Sequence, residues 1–227
     1  MSLDPNLLLK AQRGDSHAQC CIGWACYNGH GVRKSFRQAA VWYRKSAKQG
    51  NRVAQYNLSL SYLDGQGVRK DPKLSFLLNL EAARSGHTLA ELAAGWFYHG
   101  GRGVKCDLTK ARKWYLKAAA KGDTGALFSL GQIEFDKKNF KEAARWFAKA
   151  AKKGHPRSNY YLGRMLLHGW GVRPDPFRAR VCLKTAVKLG VGYANRLLRG
   201  KRLRRELVQE TNVAVNCWRQ GALLPAI

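Results

Sequence analysis

A recurring four-residue turn constrains this chain more than any other feature. Gly29-His30-Gly31-Val32 returns as Gly65-Gln66-Gly67-Val68, Gly101-Arg102-Gly103-Val104 and Gly169-Trp170-Gly171-Val172. The first three copies lie 36 residues apart and the fourth follows 68 later, which leaves room for one more unit without the turn. A second series of glycines, Gly14, Gly50, Gly86, Gly122, Gly154 and Gly190, runs in phase at spacings of 36, 36, 36, 32 and 36. A fixed period of this size marks a repeat array, in which one supersecondary unit cannot bury its apolar face alone and stacks on its neighbours.

The residues between the glycines say what the unit is. Four positions after each closing glycine stand Ala18, Ala54, Ala90, Ala126 and Ser158. Eight positions after it stand Ile22, Leu58, Ala94, Leu130 and Leu162, followed by Gly23, Ser59, Gly95, Gly131 and Gly163. Small residues at helical spacing make a face that a second helix can approach closely, and a glycine inside a helix costs ~1 kcal/mol against alanine, so its return needs a packing reason. Beyond each turn come Ser35, Asp71, Asp107, Asn139 and Asp175, all good N-cap residues, with Pro72 and Pro176 at a first helical position. The second helix carries an apolar stripe. It runs through Ala39, Ser75, Ala111, Ala143 and Ala179, then Trp42, Leu78, Trp114, Trp146 and Cys182, then small pairs such as Ala82-Ala83 and Ala118-Ala119. In the fourth unit Asp136-Lys137-Lys138 replaces the long turn.

The expected fold is all-α. It has an N-terminal capping helix in 1–14, five helix–turn–helix repeats in 15–190 (15–50, 51–86, 87–122, 123–154 and 155–190), and C-terminal capping helices with a tail in 191–227. These columns resemble the Sel-1-like repeat, a relative of the tetratricopeptide repeat, over residues 15–190. The resemblance implies a right-handed superhelical solenoid of antiparallel helix pairs with a concave face. It further implies a non-catalytic adaptor that holds partner proteins, in a family with many bacterial members. Ser59 in place of glycine, and Leu78 and Cys182 in place of tryptophan, depart from the pattern.

Composition narrows the function classes. No apolar run reaches the ~18 residues a membrane-spanning helix needs, and the first residues lack the pattern of a secretory signal. The six cysteines do not recur as a pair in each repeat, so they are no disulfide framework, and a reducing cytoplasm is expected, with export as an effector left open. Forty-one Lys and Arg against 14 Asp and Glu give a net charge of +27, which favours acidic partners.

By analogy with tetratricopeptide folds, the first helices line the concave side. The candidate groove residues are Trp24, Tyr27, Asn28, Asp64, Trp96, His99, Gln132, Arg164 and His168, with aromatic groups as rigid anchors for a protein or peptide, an acidic one given the charge. The alternative is a polyanion binder for nucleic acid or an anionic surface. It would use the cations of the second helices, such as Lys113, Lys117, Lys149 and Lys152, together with Arg199, Lys201, Arg202, Arg204 and Arg205. His17, Cys20, Cys21, Cys26 and His30 crowd together in sequence, but Cys20 shares its column with Tyr56, Leu92, Phe128 and Tyr160 and reads as core, so no metal site is expected. Gly29 to Ser35 lacks the glycine that precedes Lys-Ser in a phosphate loop. No catalytic residue and no cofactor are expected.

Overall fold

The computed structural model describes residues 3–200. Its helices are α1 Pro5–Gln12, α2 Ser16–Asn28, α3 Phe36–Lys48, α4 Arg52–Asp64, α5 Pro72–Arg84, α6 Thr88–Gly100, α7 Leu108–Ala120, α8 Thr124–Asp136, α9 Phe140–Lys152, α10 Pro156–His168, α11 Pro176–Lys188 and α12 Ala194–Leu198. No strand occurs among the described residues. The architecture is an all-α array of paired helices. The chain divides into two compact units, Met1–Asp123 and Thr124–Ile227.

Within each pair the helices run antiparallel. The start of α2 meets the end of α3, where Ser46 Oγ donates to Ser16 O at 2.6 Å. At the other end Ser35 N donates to Cys26 O at 2.8 Å. The first glycine of each turn ends a helix in the left-handed region: Gly29, Gly65, Gly101 and Gly169 have φ between 63° and 81°. The second glycine serves a different need. A Cβ on Gly67 would fall on the carbonyl of Phe36, one on Gly103 on that of Pro72, and one on Gly171 on the Phe140–Lys141 peptide. Each of these three turns therefore seats its backbone on the N-terminus of the second helix of the preceding repeat, where no side chain fits.

The glycines inside the first helices are explained by rings. A Cβ on Gly23 would lie 2.6 Å from Tyr43 Cδ1, one on Gly131 2.6 Å from Phe147 Cε1, and one on Gly95 would press against Cδ1 and Cε1 of Tyr115. In the fifth repeat Leu183 takes the ring's place, 2.8 Å from a Cβ on Gly163. Tyr43, Tyr115, Phe147 and Leu183 are buried to within 2%. This corrects the apolar stripe read from sequence: Trp42, Trp114 and Trp146, one position earlier, are only half-buried. Their rings lie under Lys45, Lys117 and Lys149 at 4.6, 4.4 and 4.6 Å. A tryptophan there faces outward enough to be roofed by the cation one turn further on.

The caps hold with one correction. Ser35, Asp71, Asp107 and Asp175 accept amide hydrogens from the first turn of their helices, but Asn139 makes no such bond. Its side-chain amide donates to Glu134 Oε2 at 3.0 Å instead. The shortened connection turns through Lys138, whose φ of 61° is the one positive value at a non-glycine residue among those described. The tight turn thus claims the side chain that would have capped α9.

Candidate partner-binding surface

The C-terminal end of each first helix and the turn that follows form one structural piece. The left-handed glycine reverses the chain, so the residue between the two turn glycines folds back over the side chain six positions before it. In the first repeat Trp24, 52% exposed, stacks on His30 with ring centroids 4.9 Å apart. In the third, the Arg102 guanidinium lies 4.3 Å from the ring of Trp96, which is 38% exposed. In the fifth the order reverses: Arg164 lies 5.3 Å from the ring of Trp170, and His168 stacks on that ring at 4.7 Å. The second repeat, with Leu60 and Gln66, has no such pair.

The residues expected to line a groove fall into distinct settings. Tyr27 is half-buried and donates its hydroxyl hydrogen to Gln66 Oε1 at 2.8 Å, tying the first repeat to the second. Asn28 is exposed and donates to Trp24 O at 3.0 Å. His99 packs edge-on against Tyr115 at 6.3 Å. Asp64 is exposed and Gln132 half-buried, and neither joins a ring–cation pair. Arg164 and His168 are brought together around Trp170, and Arg164 also faces Tyr160 at 5.6 Å. His30, Arg102 and Trp170 were not among the residues expected to line a groove; all three occupy the variable position of Gly-x-Gly.

Each pair couples a large flat group to a polar or charged partner at the surface. A cation over an exposed ring contributes about 0.5–1 kcal/mol and favours one orientation of the ring. Trp24 and Trp96 stay exposed, whereas Trp170 is half-buried and also stacks on Phe140 at 6.0 Å. The second-helix cations Lys113, Lys117, Lys149 and Lys152 are exposed, as is Arg199 after α12. Lys201, Arg202, Arg204 and Arg205 lie outside the described residues.

The thiols belong to the packing. Cys20 and Cys26 are buried in the core of the first repeat. Burial, followed by the neighbouring Cys21, pushes the Cys20 thiol up to about 11. Among the described residues no group of three or more His, Cys, Asp or Glu is placed to hold a metal ion, and no helix is long and apolar enough to cross a membrane.

Comparison with known proteins agrees with this architecture. The family model of the Sel1 repeat matches residues 16–51, 52–87, 88–123, 125–155 and 156–191. No curated protein sequence matches the chain. Among solved structures, it is similar to a protective antigen of uropathogenic Escherichia coli displaying an SLR fold, with a TM-score of 0.80 and 30% identity over 86% of this chain and 44% of that one. It therefore spans less than half the length of that antigen. It is also similar to a Sel1 repeat protein from Oxalobacter formigenes, with a TM-score of 0.76 and 31% identity over 85% of this chain and 78% of the other. A putative Sel1 repeat protein from Klebsiella pneumoniae shares the fold at a TM-score of 0.52 and 19% identity. Sel1 repeat proteins generally serve as non-catalytic scaffolds for protein interaction. Five matched repeats, the in-phase glycines and the helix pairs they organise make this chain a member of the Sel1 repeat family.

Proposed function

We propose that this chain is a non-catalytic scaffold that holds a segment of a protein partner against the ends of its first helices. The observation that carries the reading is the return of a tryptophan paired with a polar or cationic group at the same place in three repeats: exposed Trp24 with His30, exposed Trp96 with Arg102, and half-buried Trp170 with Arg164. Rigid aromatic groups and arginines are the side chains that dominate binding energy at interfaces. Tyr27, Asn28, Asp64, His99, Gln132 and His168 supply the polar surroundings. The setting proposed is cytoplasmic, in keeping with the unpaired thiols of Cys20 and Cys26, and fractionation of the source cells tests it.

The test is capture of partner from native lysate by the purified chain and by its Trp24→Ala/Trp96→Ala variant, with and without nuclease. The expected result is at least tenfold weaker capture by the variant, with unchanged helical circular dichroism and no effect of nuclease. Equal capture by both chains overturns the reading. Capture abolished by nuclease favours the second reading, a polyanion binder, which rests on the exposed cations of the second helices. In that case log affinity would fall steeply with log salt.

A further inference from the structure

The first unit contains an open cleft of about 730 Å³ that the partner-binding surface does not use. It lies between α3, the turn after α4 and the start of α5. Its lining includes Arg44, Tyr62, Arg69, Lys70, Asp71 and Lys73. Four of these are cations. Asp71 is the one acid, and its Oδ1 is taken up by the amides of Lys73 and Leu74 at 3.0 Å each. Among the described residues none of the four cations forms an ion pair. Arg44 is held in place by its Nη2, which donates to the Tyr62 hydroxyl at 2.9 Å. Tyr62 in turn packs against the core of the first two repeats.

The cleft depends on one residue that its counterparts lack. Where Arg44 stands in the first repeat, the second has Leu80, the third Leu116 and the fourth Ala148. The turns that follow carry cations in every case, but only here does an anchored guanidinium face them across the gap. Loose lysines on a solvated surface cost side-chain entropy to engage, whereas a guanidinium already fixed by a hydroxyl has lost part of that freedom before binding.

We propose that this cleft binds an acidic peptide segment, with carboxylates of the partner engaging Arg44, Arg69, Lys70 and Lys73. The inference rests on the scaffold reading above and gives the chemistry of part of the partner. Arginine meets carboxylate in a bidentate fork, and the apolar lining of Val68 and Pro72 suits the methylenes of glutamate. Single-stranded nucleic acid fits less well. It needs exposed rings on which bases stack, and the one ring in this lining, Tyr62, is half-buried with its hydroxyl engaged.

The experiment uses the full chain and a fluorescein-labelled hexaglutamate peptide, followed by anisotropy at low salt. Arg44→Gln/Arg69→Gln is expected to weaken binding at least tenfold. Lys10→Gln/Lys188→Gln removes the same charge elsewhere and should change it less than twofold. Lys70→Gln/Lys73→Gln, on exposed side chains, repeats the test should the first pair disturb the fold. Equal weakening by the cleft pair and the control pair overturns the proposal, as does no binding by the unaltered chain. A single-stranded oligonucleotide of equal charge that binds more tightly and responds to the cleft pair also overturns it. Loss of the cleft effect while Trp24→Ala/Trp96→Ala still lowers capture removes the cleft and leaves the scaffold. The converse removes the first-helix surface and leaves the cleft.

Discussion

The second repeat and its two neighbours in the first unit solve the same packing problem in different ways. In the first and third repeats a bare glycine, Gly23 or Gly95, lies under the ring of Tyr43 or Tyr115. In the second, Ser59 stands where the glycine should be, and the ring is replaced by Asn79. The two changes belong together: the serine side chain occupies space a ring would need, and the shorter asparagine leaves it. The exchange has a cost. Asn79 is fully buried, and neither its Oδ1 nor its Nδ2 finds a protein partner. A buried amide without a hydrogen bond is destabilising by about 1–3 kcal/mol. What looks from sequence like a missing glycine is one half of a compensated pair, and the pair is the weaker of the two solutions.

The largest expected effect comes from forcing the third repeat toward the second halfway. Tyr115→Asn removes the ring over Gly95 without supplying the serine, leaving a cavity and a buried amide. Stability in urea should fall by about 4 kcal/mol, in the range for loss of a large buried ring. A loss under about 1 kcal/mol would mean that the ring is not what the glycine accommodates.

The converse substitution sharpens the comparison further. Asn79→Tyr alone drives a ring onto Ser59 and should cost about 2 kcal/mol, as overpacking does. Ser59→Gly together with Asn79→Tyr rebuilds the joint of the neighbouring repeats and should be at least as stable as the natural chain. The double-mutant cycle is then expected to show a coupling of about 2 kcal/mol. Additive single effects would show that the two positions changed independently.

The same comparison shows what a sequence of this kind makes legible. The helix pairs, the phase of the array and most second-helix caps could be read because each rests on local chemistry: a left-handed turn, a capping oxygen, a small residue at helical spacing. The ring-bearing position escaped because Tyr43, Asn79, Tyr115, Phe147 and Leu183 share no chemistry, only a place opposite a glycine across the hairpin. The tryptophans one position earlier share a name and so drew the attention. The second glycine of the turn recurs in the sequence without its reason, which is its lack of a Cβ against Phe36 or Pro72 of the preceding repeat. In the candidate surface, Trp24 and Trp96 could be picked out from the sequence as large rings and are exposed, but their pairing with His30 and Arg102, and that of Arg164 with Trp170, could not, since a variable loop position reveals its partner only once the chain has folded back. The cleft around Arg44 depends on two repeats meeting, and no periodicity within one repeat announces it.

The smallest effect expected concerns the joint between the second and third repeats. Asn51 caps α4 through its side-chain oxygen, accepting from Val53 N and Ala54 N at 3.1 Å each. The matching residue in the third repeat is His87, whose Nδ1 accepts from Ala90 N at 3.2 Å while its ring packs on Tyr56 at 4.9 Å. Only the unprotonated Nδ1 can accept, so this cap titrates and the asparagine cap does not. Burial holds the His87 pKa below its ordinary value, helped by the cations of Arg52 and Lys121 and opposed by Glu91. A histidine whose folded-state pKa is depressed binds fewer protons folded than unfolded, so its contribution is complete above the ordinary histidine value near ~6.5 and declines as pH falls through the depressed one. A cap is worth ~1 kcal/mol, so acidification from about pH 7.5 to 5 should lower the midpoint of thermal unfolding by a few degrees through this residue. The measurement is the difference between the natural chain and His87→Asn, which puts the second repeat's capping chemistry into the third and removes the titration. The two midpoints should draw apart on the acid side and run parallel above neutrality. Curves that stay parallel throughout would show that His87 holds α6 by packing on Tyr56 rather than by its ring nitrogen.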